Sequence, residues 1–117
     1  MKRALLNIDY TYDFVADDGN LTCGEPGQEL EEYITNLTKE FIDRGDFVVF
    51  AIDAHEEGDE YHPETKLFPP HNINGTDGKK LYGSLQNVHE ANKDKANVYT
   101  FDKTVIVHLQ EQIWKLN

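Results

Sequence analysis

The stretch FVVFAIDAH, residues 47–55, determines the fold class that the sequence predicts. Its apolar run ends in Asp53 and His55, the pattern of a buried parallel strand with polar groups at its carboxyl end, so we expect a strand over residues 46–53. Residues 3–9, RALLNID, show the same pattern and predict a first strand that is buried on both faces. A helical segment between two such strands predicts a parallel pair with a right-handed crossover.

The segment between these strands, residues 28–44, predicts one amphipathic helix. Gly45 closes it, and its apolar residues recur at three- and four-residue steps: Leu30, Tyr33, Ile34, Leu37, Phe41 and Ile42. Farther along, we expect a short helix over residues 85–92 and a third strand over residues 96–101, with Asp102 and Lys103 just past its end. The sequence therefore predicts an α/β architecture with three parallel strands, followed by a helix over residues 104–117.

Composition excludes several classes of function. The 117 residues suffice for one domain, and 22 acidic against 11 basic residues would repel phosphate backbones and anionic membranes, so we expect neither nucleic acid nor membrane as a partner. Cys23 is the single cysteine, which excludes an intramolecular disulfide. The chain shows no signal peptide or membrane span, and we expect it in the cytoplasm.

Polar residues fall at the predicted carboxyl ends of the strands, where parallel sheets place their ligand sites. Asp53 and His55 are two residues apart, so their side chains can point to the same face. His71 follows two prolines that restrict the chain direction, and Glu64 offers a fourth ligand, with His62 as the alternative to His71. Two imidazoles and two carboxylates suit one divalent ion of zinc, manganese, iron or cobalt better than calcium or copper(I).

Chance could produce any one of these features, because a D-x-H pair is common in an acidic protein and a single histidine is usually a surface residue. Their joint occurrence after a buried strand favours a metal site. The sequence also resembles the nicotinamidases among the isochorismatase-like cysteine hydrolases in four short motifs that follow in order: Ile8-Asp9-Tyr10-x-x-Asp13-Phe14, Ile52-Asp53-Ala54-His55, Phe68-Pro69-Pro70-His71 and Asp102-Lys103.

This resemblance covers residues 1–103 and implies a three-layer α/β/α fold with a parallel sheet, incomplete here because only the N-terminal strands and helices are present. It implies hydrolysis of nicotinamide to nicotinate and ammonia through a thioester, and thereby a role in NAD metabolism. Asp9 would act as the base toward a cysteine, and Lys103 would favour the charged form of that site. Phe14 and Phe68 would form the aromatic wall of the substrate pocket.

The resemblance also implies a role for the metal, for which zinc is favoured and manganese or iron are the alternatives. The ion would bind the pyridine nitrogen of nicotinamide and so orient the amide. Its ligands would be the four residues Asp53, His55, Glu64 and His71.

Two features depart from the family pattern. The family's nucleophilic cysteine follows a later strand, so Cys23 does not match it, and we expect the chain to be inactive. Residues 104–117 replace the family's Arg-Tyr-Ser-x-Phe motif. Codons can be written in which deletion of one base converts a family-like continuation into this tail, so we interpret residues 104–117 as a divergent, frameshifted segment.

The lost strands would leave an apolar edge open, which predicts low stability and association into homo-oligomers. Two alternative functions stay open at this point. One is a non-catalytic fragment that binds metal or associates with itself, and the other is a related isochorismatase-type hydrolase with another amide substrate.

Overall fold

A parallel sheet forms the centre of the computed structural model, which describes residues 1–56 and 69–103. Within these ranges the strands β1 (Ala4–Ile8), β2 (Phe47–Asp53) and β3 (Val98–Lys103) lie in the order β1-β2-β3. Ile8 pairs with Ala51 and Asp53 pairs with Lys103, so the carboxyl ends of all three strands lie along one edge. The predicted α/β class and parallel order are confirmed.

Four α-helices lie in the described ranges: α1 (Tyr12–Val15), α2 (Glu25–Gln28), α3 (Glu31–Asp43) and α4 (Ser84–Asn92), together with a short 3-10 helix at Asp77–Lys79. The predicted helix over residues 28–44 is thus shorter at both ends, and α2 precedes it. Gly45 has φ 78° and its N–H donates to the Ile42 carbonyl, as expected of a closing glycine.

The main core lies on the sheet face that α3 and α4 cover, which we call the helical face. Alternate residues of β2 point to it, namely Val48, Phe50 and Ile52, and all three are buried there. Leu85 of α4 packs into the same cluster, and Glu31 of α3 accepts a hydrogen bond from the Ser84 N–H at 2.8 Å. This layer fixes α3 and α4 against the sheet.

The other side of the sheet, which we call the opposite face, carries Leu6, Ile8, Val49 and Ala51. Leu6 is 44% exposed and Ile8 is 50% exposed. The prediction that residues 3–9 are buried on both faces is therefore wrong. The physical reason is position, because β1 is an edge strand whose pairing within the described ranges is to β2.

The face by which α3 packs agrees with the prediction only in part. Tyr33 is 67% exposed and Leu30 is 49% exposed, whereas Thr35 and Thr38 are buried. Thr38 can be buried because its hydroxyl donates to the Ile34 carbonyl at 2.7 Å and accepts from the Asn7 amide at 3.0 Å. Apolar spacing located the helix and part of its packed face, since Ile42 is buried and Ile34 and Phe41 pack against the core. It did not locate the buried threonines.

The third strand runs two residues farther than predicted, because Asp102 and Lys103 pair with Ile52 and Asp53. Lys103 is therefore the last residue of β3 instead of a residue beyond it. The expected helix over residues 104–117 lies outside the described residues. Among the helices that the structure describes, none is both long and apolar enough to cross a membrane.

Candidate active site

Three buried side chains meet where β2 ends. Asp53 Oδ2 lies 2.8 Å from His55 Nε2 and 3.2 Å from His71 Nε2, and the two imidazole rings are 4.7 Å apart between centroids. One potential ligand atom from each residue falls within 4.8 Å of the others. The structure thus brings together Asp53, His55 and His71, while Glu64 and His62 lie outside the described residues.

Backbone hydrogen bonds hold the two histidines together. The His55 N–H donates to the Asn72 carbonyl at 3.1 Å, and the His55 carbonyl accepts from the Asn74 N–H at 2.9 Å. These bonds form an isolated parallel bridge between His55 and Ile73. The loop that carries His71 is therefore attached to the chain that continues β2.

The imidazole of His71 has a fixed orientation, since its Nδ1–H donates to the Pro69 carbonyl at 2.7 Å. A histidine that binds a metal usually donates its other ring N–H in this way. This bond directs Nε2 toward Asp53 Oδ2. Two imidazoles and one carboxylate form a donor set that suits a divalent transition metal.

A lysine–carboxylate pair lies beside this cluster. Lys103 Nζ lies 2.8 Å from Asp9 Oδ2 and 3.8 Å from Asp53 Oδ1. Asp9 follows β1 with φ 60°, a conformation that aspartate tolerates, and its Oδ1 accepts from the Asp53 N–H at 2.9 Å. The ends of the three strands thus share one network of charges.

The two aromatic residues predicted to form the pocket wall have different outcomes. Phe14 is partly buried, and its ring contacts the His71 ring edge-on with centroids 5.2 Å apart. Phe68 lies outside the described residues. Phe14 is therefore placed at the border of the Asp53–His55–His71 cluster.

Cys23 lies away from the strand ends. It is exposed, its N–H donates to the Phe14 carbonyl, and its Sγ would lie 2.4 Å from a Cβ added at Gly27. Among the described residues, Asp9 is bonded to the Lys103 ammonium and the Asp53 N–H, and Lys103 lies near the Asp9 and Asp53 carboxylates, so Cys23 is not one of these partners.

Tyr10 follows Asp9 but points into the core. Burial, together with the charge of Glu31, raises the pKa of Tyr10 to about 12, and its hydroxyl donates to the Gly27 carbonyl at 2.5 Å. A phenol with so high a pKa stays protonated at neutral pH. Tyr10 therefore supports the loop and does not exchange protons at the site.

Sequence reasoning gave no role to Thr11, Asp13 and Asn72, which are buried next to the cluster. Asn72 N–H donates to Asp13 Oδ2 at 2.8 Å, and Asn72 Nδ2 donates to the Asp53 carbonyl at 3.1 Å. The sequence indicated these residues only by their position in the motifs, where Asn72 follows His71 and Asp13 precedes Phe14.

Comparison with known proteins gives a consistent result, although no family model matches the chain. The chain is 64% identical over 104 residues to an isochorismatase family protein, PncA, of Bacillus subtilis (strain 168), covering 89% of this chain and 57% of that protein. The chain thus spans little more than half the length of this curated relative.

Solved structures show the same likeness. The nicotinamidase/pyrazinamidase PncA from Bacillus subtilis superimposes with a TM-score of 0.92 at 48% identity, covering all of this chain and 67% of that one. The pyrazinamidase/nicotinamidase from Streptococcus mutans UA159 gives 0.84 at 46% identity, covering 94% and 66%. The isochorismatase-like fold expected from the motifs is confirmed, and the described sheet is an incomplete form of it.

Proposed function

Since this chain belongs to the isochorismatase family of hydrolases, with nicotinamidases among its relatives, we propose that its site is that of a metal-dependent cysteine amidohydrolase. The reaction is the conversion of nicotinamide and water to nicotinate and ammonia. One observation carries this proposal: Asp53, His55 and His71 converge within 4.8 Å, beside the Lys103–Asp9 ion pair.

Asp53, His55 and His71 are the residues that would hold the metal, with Glu64 as the proposed fourth ligand. Their donor set favours zinc, with manganese or iron as the alternatives. The pyrazinamidase of Pyrococcus horikoshii, which shares the fold at a TM-score of 0.68 and 20% identity, has been crystallised in complex with zinc. When bound here, a divalent ion supplies a coordination position for the pyridine nitrogen of the substrate.

The remaining residues handle protons and orientation. Asp9 would accept a thiol proton on Oδ2, and the ammonium of Lys103, 2.8 Å from that oxygen, would stabilise the negative charge of the thiolate. The Asp53 N–H donates to Asp9 Oδ1, so Oδ2 is the oxygen that would accept the proton. Phe14, and Phe68 by the same proposal, would flank the pyridine ring.

These 117 residues themselves do not complete this chemistry, because their single cysteine, Cys23, is on the surface beside Gly27. We assign residues 1–103 to the N-terminal part of the hydrolase domain and residues 104–117 to a frameshifted tail. The nucleotide sequence tests this assignment. If no single-base change restores the Arg-Tyr-Ser-x-Phe motif after Lys103, the frameshift hypothesis is wrong.

The decisive experiment separates metal binding from catalysis. The purified chain is loaded with zinc, manganese or iron, its bound metal is quantified, and ammonia release from nicotinamide is measured in parallel. We expect one equivalent of metal in the wild type, much less in His71→Ala, and no ammonia above background. Equal metal content in the two proteins would refute the proposed ligands, and turnover would refute the proposed inactivity.

A second candidate function is a metal-binding fragment that associates with itself. The exposed side chains of Leu6 and Ile8 on edge strand β1 favour it, because such an edge can pair with another chain. Light scattering across a concentration series tests this candidate, which requires a mass that rises with concentration. A related amide as the substrate is tested by a panel of amides with a full-length relative.

A further inference from the structure

Asn72 follows the ligand His71 directly, and it is a junction between the loops of the site. It is fully buried, and each of its polar groups is hydrogen-bonded. Beyond its N–H bond to Asp13 and its amide bond to the Asp53 carbonyl, its own carbonyl accepts from the His55 N–H and its side-chain oxygen accepts from Thr11 Oγ1 at 3.0 Å. One residue thus ties together the segments that carry His71, His55 and Asp53.

The backbone at Asn72 is unusual. Its φ is 46°, in the left-handed region that non-glycine residues adopt at some cost, although asparagine tolerates it best. The chain bends at Asn72, immediately after His71. The four hydrogen bonds of Asn72 hold the bend in place, and so they fix the direction from which the His71 imidazole approaches Asp53.

Asp13 is the buried anchor of this junction. Its Oδ2 accepts from the Asn72 N–H at 2.8 Å and its Oδ1 accepts from the Asn20 N–H at 3.0 Å. The 3-10 helix lies so close to Asp13 that a Cβ added at Gly78 would be 2.1 Å from Asp13 Oδ2. Glycine at position 78 therefore leaves room for the carboxylate. A buried carboxylate is costly to keep, yet the proposed mechanism gives Asp13 no proton or ligand to hold.

We propose that Asp13 and Asn72 are positioning residues that set the metal affinity of the site by fixing His71 against Asp53 and His55. The inference rests on the proposed function, because it needs Asp53, His55 and His71 to be ligands. Partners of metal ligands typically change metal affinity by about 10- to 100-fold when they are mutated. We expect losses in this range for Asp13→Asn and Asn72→Ala.

Two further variants separate the contributions. Asn72→Gly relieves the strain of the positive φ but removes both side-chain bonds, so it should lose affinity as Asn72→Ala does. Thr11→Val removes a single hydrogen bond at constant shape, and about a threefold loss is expected. Asp77→Asn is the matched control, since Asp77 is an exposed acid next to Gly78 whose partner is Lys80.

The experiment uses the 117-residue chain and the metal alone as the probe. Zinc affinity is measured by competition with a chromophoric chelator, cobalt(II) spectra report the ligand geometry, and unfolding without metal reports the stability. We expect Asp13→Asn and Asn72→Gly to bind zinc at least tenfold more weakly, with altered cobalt spectra, while Asp77→Asn matches the wild type.

The outcomes separate this inference from the proposed function. If the wild type binds no metal, the proposed function fails and the inference with it. If the wild type binds and the folded fractions of Asp13→Asn and Asn72→Gly bind within twofold of it, the inference alone is overturned, and these residues serve only stability. If both of these variants are unfolded, the zinc affinity of Thr11→Val is compared with that of the wild type, and a difference within twofold overturns the inference.

Discussion

The two faces of the sheet differ in what their residues do. On the helical face, Phe50 and its neighbours are buried under α3 and α4. The residues between them on the same strands point to the opposite face, where Leu6 and Ile8 are exposed. Asp53 and Lys103 lie on this face at the carboxyl ends of β2 and β3. Val49 and Ala51 of β2 are buried on this face as well, so the exposure is confined to β1. The helical face therefore holds the main cluster of large buried side chains, and the site with its charges lies at the end of the opposite face.

The largest expected effect tests the stability of the helical face. Phe50→Ala removes a fully buried ring that contacts His89 of α4 with centroids 4.9 Å apart, and a Phe→Ala change in a core costs about 3–5 kcal/mol. Leu6→Ala on the opposite face, at 44% exposure, should cost about 1 kcal/mol or less. Urea unfolding of both variants measures the difference.

The control for this pair is the wild type at several protein concentrations, because association through β1 would raise the apparent cost of Leu6→Ala. Equal costs for the two variants at the lowest concentration would contradict the division between the faces.

Charges at the end of β3 extend the comparison, because Lys103 and Asp102 point to different faces. Lys103→Met removes a buried ammonium from between Asp9 and Asp53, and about 1–3 kcal/mol of stability should be lost, since Asp53 stays buried and Asp9 is 27% exposed. Lys79→Met breaks a pair of nearly equal length, 2.9 Å, to Asp102, which is 56% exposed, and should cost less than about 1 kcal/mol.

Chemical denaturation of these two variants gives the costs directly. The shorter distance is matched in the two pairs, so the differences are burial and the second carboxylate, Asp53, near Lys103. A Lys79→Met variant as unstable as Lys103→Met would show that distance, and not burial, determines the contribution of these ion pairs.

A polar contact within the helical face should have a smaller effect. Thr38→Val removes the acceptor of the Asn7 amide, and a buried donor left without a partner costs about 1–2 kcal/mol. Thr76→Val removes a hydroxyl that donates to the Ile73 carbonyl at 2.7 Å on the surface, so it should be close to neutral. If Thr38→Val were as stable as the wild type, Asn7 would have found another partner.

The sequence could predict the structural elements that local patterns determine, but not the features that depend on contacts between distant residues. The apolar runs around Leu5 and Phe50 located two strands, and Gly45 located the end of α3, because these are local signals. The buried threonines of α3 were missed, because burial of Thr38 depends on Asn7, 31 residues away. No local pattern reports such a bond.

The candidate site divides in the same way. Asp53 and His55 could be paired from their spacing, since the strand itself brings them together. The convergence of His71 could be expected from the motif and the preceding prolines, but the bond from Asn72 to Asp13, 59 residues away, could not. Thr11, Asp13 and Asn72 are joined by bonds between residues far apart in the sequence, and no local pattern reveals such bonds.

The smallest expected effect is a pH dependence at the helical face. Burial is the main cause that lowers the pKa of His89 below its ordinary 6.5, and its Nε2 lies 2.8 Å from Thr100 Oγ1. Near pH 8, well above the ordinary pKa of 6.5, His89 is almost entirely unprotonated in both states. As the pH falls toward and below 6.5, the unfolded chain takes up a proton that the folded chain resists, so stability decreases until the lower folded pKa is passed.

His89→Gln keeps a hydrogen-bonding group but does not titrate. Its unfolding free energy should fall less steeply than that of the wild type between pH 7 and pH 5, while the slopes of the two proteins coincide near pH 8. Parallel slopes at every pH would mean that the helical face does not shield His89, and that this face is less closed than the burial of Phe50 indicates.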